Sequence, residues 1–64
     1  MIRKEYMGKE IKIISKTNGI EYTGKAVELQ SPEESESGEL EIGINYAGGI
    51  TMFPESDIKS IALA

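Results

Sequence analysis

The fold is decided by the stretch from Glu10 to Gln30, which reads EIKIISKTNGIEYTGKAVELQ. Its first six residues alternate between apolar and polar side chains, and this period of two is typical of a half-buried β-strand. The dipeptide Asn18-Gly19 then predicts a tight type I′ hairpin, because that turn needs a positive φ at both of its central residues. We therefore expect a first strand over 10–15 and a second strand over 20–30.

The second strand changes phase in its middle. Tyr22 and Ala26 share one face, whereas Val27 and Leu29 fall on the other. Gly24 lies near this change, and a glycine inside a strand indicates a bulge or a sharp bend. Such a bend lets one strand serve two sides of a small barrel.

The rest of the chain continues the β pattern. Leu40, Ile42 and Ile44 alternate with outward polar residues. We expect the remaining elements in this order: a strand over 39–45, a turn over 46–49, a strand over 50–53, a 3₁₀ turn over 54–57 and a strand over 58–63. Before the first strand, Ile2 and Tyr6 are four residues apart, which suits a short amphipathic helix laid on the barrel.

Five short strands predict an all-β fold, a small five-stranded SH3-like barrel that is partly open, formed by one domain over residues 1–64. Four apolar residues fall on the face opposite to that of their strand neighbours: Ile14, Phe53, Ile61 and Leu63. They either face a partner or close the ends of the barrel. Ten isoleucines and self-association are two ways for so small a chain to gain stability.

The composition excludes most chemistry. The chain has no cysteine and no histidine, which removes disulfides, thiolate metal sites, thiol nucleophiles and the commonest general base. No serine has a histidine to activate it, and no phosphate-binding glycine motif is present. We expect a protein that is not an enzyme and that has no catalytic residues, no cofactor and no metal site.

The net charge of −4 is unevenly distributed along the chain. Residues 1–25 carry six cations and three anions, whereas residues 26–64 carry one cation and eight anions. The candidate contacts for a nucleic acid or another partner are Lys9, Lys12, Lys16 and Lys25. An ordinary solvated face is the alternative, because Glu10 and Glu21 lie among these lysines. Tyr22 and Tyr46 are candidates for base stacking, or for packing with the hydroxyl at the surface.

Residues 31–38 read SPEESESG and predict a mobile acidic loop. Ser31 and Glu34 match a capping box, which allows one helical turn at most. The candidate acidic surface for a basic protein partner consists of Glu33, Glu34, Glu36 and Glu39. These residues lack the order of ligands that wraps a chain around calcium.

A resemblance to the first Sm motif of the Sm-like (LSm) proteins is carried by Gly8-Lys9-x-Ile11-x-Ile13 followed by Asn18-Gly19-x-x-Tyr22-x-Gly24-x-Ala26-Val27. The tail is similar to the closing segment of bacterial Sm-like domains, in Gly48-Gly49-Ile50 and Ser56-Asp57-Ile58-Lys59-Ser60-Ile61. The likeness spans nearly the whole chain from residue 6. It implies an Sm-like barrel that forms rings of six or seven subunits, in which the fourth strand of one subunit pairs with the fifth strand of the next. It also implies binding of single-stranded RNA at the pore.

The sequence departs from the family at the RNA pocket. The family's Asp and Asn after the second strand are replaced by residues 30–34, QSPEE, and its Arg-Gly or Lys-Gly is replaced by residues 53–57, FPESD. The uridine pocket therefore does not carry over, and acidic loops repeated around a ring would repel RNA. We expect a binding module that self-associates through its edge strands, with RNA as one ligand. The alternative is a monomeric or dimeric SH3-like module whose acidic loop meets a basic protein.

No apolar run is long enough to span a membrane, and residues after Met1 lack the apolar core of a signal peptide. We expect a cytoplasmic chain that is complete or nearly so.

Overall fold

The computed structural model describes all 64 residues, and its strands form one antiparallel sheet in the order β4-β3-β2-β1-β5. The elements are a 3₁₀ turn η1 (Lys4–Tyr6), β1 (Glu10–Ser15), β2 (Glu21–Gln30), β3 (Glu41–Tyr46), β4 (Gly49–Pro54), a 3₁₀ turn η2 (Glu55–Asp57) and β5 (Ile58–Leu63). The prediction of a small, all-β, five-stranded and partly open barrel is confirmed. Its strand boundaries differ from the expected ones by two residues at most. The structure holds no helix with the length and apolar character needed to cross a membrane.

The core is built mainly from isoleucines on the inner face of the sheet. Its buried apolar residues are Ile11, Ile13, Ala26, Ile42, Ile44, Phe53 and Ile58. Phe53 was expected to face a partner or an end of the barrel, and this expectation is wrong. β4 pairs Phe53 with Ile42, which turns the ring into the core and turns Ile50 outward.

The other three apolar residues of that group differ among themselves. Ile14 and Ile61 are half-buried, and Leu63 is 56% exposed. Leu63 lies at the end of β5, which is one edge of the sheet. Only Phe53 is therefore part of the core.

The tight turn lies in a different hairpin from the one expected. β1 and β2 are joined by five residues, and Asn18 does not have a positive φ, although Gly19 does. The Asn18 Oδ1 instead accepts a hydrogen bond from the Ile20 amide at 2.9 Å, which forms a wider turn. Ala47 (φ 51°) and Gly48 (φ 83°) join β3 to β4 and have the two positive φ values that a type I′ turn requires.

Gly24 allows close approach of strands, and the bulge follows two residues later. The register between β2 and β3 shifts between Ala26 and Glu28, which leaves Val27 unpaired. A Cβ on Gly24 would overlap the backbone carbonyl oxygen of Asn45. The predicted bend is therefore made by two features, a glycine that admits the neighbouring backbone and a bulge beyond it.

The N-terminal segment crosses one end of the barrel as a single 3₁₀ turn, in place of the expected amphipathic helix. Met7 forms an isolated bridge with Ala26, and the Gly8 amide donates to the Ala26 carbonyl at 2.8 Å. At the other end of the segment, the Ile2 amide donates to Glu55 Oε2 at 3.4 Å. Ile2, Tyr6 and Met7 pack against the core, so the segment covers an end of the barrel that the strands leave open.

Candidate functional site

The outer face of β1 and β2 carries two of the four candidate lysines. Glu10 lies opposite Lys25, and the Lys12 ammonium is 3.9 Å from a Glu21 carboxylate oxygen. These side chains are exposed, so the ion pair contributes little to stability. The face is a mixture of opposite charges and not a continuous basic surface.

The other two candidate lysines lie elsewhere. Lys16 follows β1, and its amide donates to the Asp57 carbonyl at 2.7 Å. Lys9 lines a groove of about 420 Å³ beside β5, together with Arg3, Glu5, Tyr6, Ile61, Ala62 and Leu63. The structure thus places Lys12 and Lys25 together but puts Lys9 and Lys16 at separate positions.

Asp57, the only aspartate of the chain, holds the β1–β2 loop. Its carboxylate accepts hydrogen bonds from the Ser15 hydroxyl at 3.1 Å, from the Thr17 amide at 3.0 Å and from the Thr17 hydroxyl. The pKa of Asp57 is held below its ordinary value, chiefly by the hydrogen bond from the Thr17 hydroxyl. The Thr17 amide, the Ser15 hydroxyl and the charge of Lys16 also lower it. Burial raises it, but by less than the Thr17 hydroxyl bond lowers it. Sequence reasoning treated Asp57 only as part of a turn, because its partners lie more than 39 residues away.

The acidic segment 31–38 is folded back by its own hydrogen bonds. Glu34 accepts from the Ser31 amide and hydroxyl, both at 3.3 Å, as one half of the expected capping box would require. The Ser35 hydroxyl donates to the Glu39 carbonyl at 2.6 Å. The Ser35 amide donates to the Ser31 carbonyl at 3.1 Å, which closes a single turn.

The four candidate glutamates have different roles. The Glu39 carboxylate accepts from the amide and hydroxyl of Ser56, both at 2.8 Å, and so ties the loop to η2. Glu34 is bonded within the loop, as above. Glu33 and Glu36 are exposed and make no hydrogen bond with the rest of the chain. Only these two carboxylates are fully available to a partner.

Glu41 lies on the outward face of β3 but is buried, which the sequence pattern does not predict. Its side chain points to the outer face of β3, as the alternation predicts, but segment 31–38 folds over that face. The residue is 7% exposed, and Glu41 Oε2 accepts a hydrogen bond from the Ser37 hydroxyl at 2.5 Å. Period-two reasoning gives the face of a residue and not what covers it, so nothing in the pattern signals this burial.

Glu41 lies in a groove of about 670 Å³ on the β4 side of the sheet, which we call the acidic groove. It is lined by Gln30, Glu34, Glu36, Ser37, Glu41, Met52 and Pro54. No cation is among these residues. The chain contains no group of His, Cys, Asp or Glu side chains arranged to hold a metal ion.

Three aromatic rings form a cluster near the hairpin turns. The Tyr22 ring lies 5.0 Å from Tyr46 and 5.1 Å from Phe53, both edge to face. The Tyr22 hydroxyl accepts a hydrogen bond from Asn18 Nδ2 at 3.1 Å. Tyr22 is therefore engaged in packing, whereas Tyr46 is 38% exposed.

The two edge strands carry the clearest surface for a partner. β4 and β5 each pair with only one neighbour, so each has a free row of backbone amides and carbonyls. Ile50 on β4 is 54% exposed, and Leu63 on β5 is 56% exposed. Each edge thus combines unpaired hydrogen-bonding groups with a large exposed apolar side chain.

Comparison of the chain with protein-family models, with curated proteins and with solved structures gave no match.

Proposed function

We propose that this protein is a non-enzymatic, cytoplasmic β-barrel binding module of the Sm-like kind, which assembles with copies of itself through β4 and β5. The observation that carries this proposal is the pair of open edges, each six residues long and each bearing an exposed large aliphatic residue. Proteins that stay monomeric usually protect such edges with charges, prolines or a covering segment. Here β4 bears no charged side chain and a single proline, Pro54 at its end, and β5 bears only one charge, Lys59.

Pairing of β4 with β5 of a second copy joins two different surfaces. Such a head-to-tail contact produces a closed ring when the rotation between subunits closes. In an antiparallel pairing, the start of β4 lies beside the end of β5, which brings Ile50 of one copy to Leu63 of the next. Full burial of an aliphatic side chain of this size contributes about 1.5–3 kcal/mol, and strand pairing adds backbone hydrogen bonds.

The test is the mass of the protein in solution, measured by light scattering for the wild type and for Ile50→Lys and Leu63→Lys. We expect a mass several times 7.0 kDa for the wild type and a fall toward 7.0 kDa for each variant. Ile20→Lys is the matched control, because Ile20 is 48% exposed but lies in the β1–β2 loop. A wild type of 7.0 kDa at every concentration would contradict the proposal.

RNA is the ligand that the Sm-like resemblance implies, and Lys12, Lys25 and Tyr46 support it. Binding through phosphates weakens as salt rises, so a short oligonucleotide should bind in a salt-sensitive manner. Lys12→Glu combined with Lys25→Glu should remove that binding. If this double variant binds as the wild type does, the lysines are not the contact.

A basic protein partner is the second candidate, and the exposed, unpartnered carboxylates of Glu33 and Glu36 favour it. This reading predicts a barrel that remains monomeric or dimeric and binds a lysine-rich peptide. Glu33→Gln with Glu36→Gln should weaken that binding, whereas Glu10→Gln, on the opposite part of the sheet, should not. Unchanged peptide binding in the first variant would exclude the acidic loop as the contact.

A further inference from the structure

Glu41 has no positive charge beside it within its own chain. The residue is 7% exposed, and its side chain accepts one hydrogen bond, from the Ser37 hydroxyl to Oε2, while Oε1 keeps contact with solvent. The residues that line the acidic groove add two more carboxylates, from Glu34 and Glu36. Because glutamates with so little exposure are usually paired with a cation, this arrangement points to a cation supplied from outside the chain.

The acidic groove has the chemistry that a lysine side chain needs. Met52 and Pro54 provide an apolar surface, and three glutamates provide carboxylates. A lysine buries its aliphatic stem on apolar groups while its ammonium stays among polar ones. The groove therefore matches one long cationic side chain better than it matches a small ion.

Lys59 is the chain's own candidate for that role. It is the second residue of β5 and the only cation among residues 26–64. It is exposed and forms no ion pair within the chain. The pairing of β5 with β1 is irregular at this point, because Ser60 pairs with Ile14 and Ile58 pairs with Ser15, which leaves Lys59 without a partner residue.

We propose that Lys59 of one copy occupies the acidic groove of a second copy and neutralises Glu41 there. This inference rests on the proposed assembly through β4 and β5. Antiparallel pairing of the two edges places the beginning of β5 beside the end of β4, where Pro54 and the acidic groove lie. Lys59 then fixes the register of the strands, and each copy supplies the positive charge that its neighbour's groove lacks.

The first test is a double-mutant cycle on the association constant. Lys59→Met keeps the apolar stem and removes the charge, and Glu41→Gln keeps the acceptor for Ser37 and removes the charge. Each single variant should weaken association by at least about tenfold, because one buried charge loses its partner. The double variant should lose much less than the product of the two single effects.

The matched control for Lys59→Met is Lys25→Met, because Lys25 is also an exposed strand lysine but lies on the central strand β2. It should leave association unchanged. Circular dichroism tests whether Glu41→Gln folds. If that variant is unfolded, Glu36→Gln, at an exposed position of the same groove, takes its place in the cycle.

The second test is a cross-link, which the absence of native cysteine makes clean. A chain carrying both Lys59→Cys and Glu36→Cys should give a ladder of disulfide-linked multimers on mild oxidation. A chain carrying Lys25→Cys and Glu36→Cys should give no ladder. A ladder of equal yield in the two chains overturns the proposed contact.

The outcomes separate this inference from the function on which it rests. A monomeric wild type overturns both. An assembled wild type in which the effects of Lys59→Met and Glu41→Gln are absent, or simply multiply, overturns the Lys59 contact alone and leaves edge-strand assembly intact. Binding of a lysine-rich peptide in the acidic groove of an assembled wild type would also overturn it, since the groove would then be open.

Discussion

Replacing Gly24 by alanine tests the close contact between β2 and β3. An added Cβ would overlap the carbonyl oxygen of Asn45, which belongs to the backbone of β3. A backbone atom cannot rotate away as a side chain can. The two strands must therefore separate. This separation disturbs the pairing of Ala26 with Ile44, which lies only two residues from Gly24.

The expected cost is large for a chain of this size. Overpacking a well-packed interior costs about 1–3 kcal/mol, and the backbone contact places Gly24→Ala near the upper figure. A domain of this length has a free energy of unfolding of about 3–10 kcal/mol. Since 1 kcal/mol shifts Tm by about 4–8 °C in a small domain, Tm should fall by more than about 10 °C.

Two other glycines provide graded controls in urea unfolding followed by circular dichroism at one protein concentration. At Gly43 the added Cβ meets the Met52 sulfur, which can move, so we expect Gly43→Ala to cost about 1 kcal/mol. At Gly49 nothing lies within 4 Å, and Gly49→Ala should be neutral or stabilising by up to about 1 kcal/mol. A Gly24→Ala protein as stable as Gly49→Ala would refute the proposed contact with Asn45.

Three further predictions concern the β3–β4 turn, the hydrogen bonds of Asp57 and the core. Ala47→Gly should raise the free energy of unfolding by about 0.5–1 kcal/mol, since Ala47 has a φ of 51°, which glycine adopts without strain; a lower Tm would contradict this. Asp57→Asn should flatten the acid limb of stability: with the pKa of Asp57 lowered from 3.8 on folding, the stabilising charge is fully present above pH 3.8 and is lost as the pH falls through the lower folded-state pKa. Urea midpoints from about pH 6 to about pH 2 measure this difference, and parallel curves for the two proteins would exclude it. Ile13→Ala, at a fully buried position, should cost about 2–5 kcal/mol by the same measurement, against little change for Ile20→Ala in the exposed loop.

The strands could be predicted because the alternation of apolar residues and the turn-forming residues between strands are both local signals. Alternating isoleucines located β1 and β3, and Pro54 marked the end of β4 before η2. The inward face of β4 could not be predicted in the same way. Ile50 and Met52 are as apolar as Phe53, and only the pairing of Phe53 with Ile42 decides which face enters the core.

The turn chemistry shows a limit of dipeptide rules. Asn18-Gly19 favours a type I′ turn in isolation, but Asp57 holds Thr17 from a distant part of the chain and the loop opens to five residues. Ala47-Gly48 takes the tight turn because the register of β3 and β4 leaves just two residues between Tyr46 and Gly49. Long-range contacts decide both cases.

In the candidate site, too, local features could be predicted and long-range ones could not. The lysines and glutamates were predicted as candidate contacts, and their exposure follows from their positions on outer faces or in loops. The burial of Glu41 depends on segment 31–38 folding over β3, held in part by the bond between Ser35 and the Glu39 carbonyl. No spacing in the sequence encodes that covering segment.

The most direct test of the proposed function is the solution mass of the unmodified chain, measured by light scattering across a range of concentrations. Assembly through β4 and β5 predicts a mass several times 7.0 kDa, six or seven times if the ring has the size that the Sm-like resemblance implies, and Leu63→Lys should reduce it to the monomer. A mass of 7.0 kDa at every concentration would contradict edge-strand assembly and with it the contact between Lys59 and Glu41.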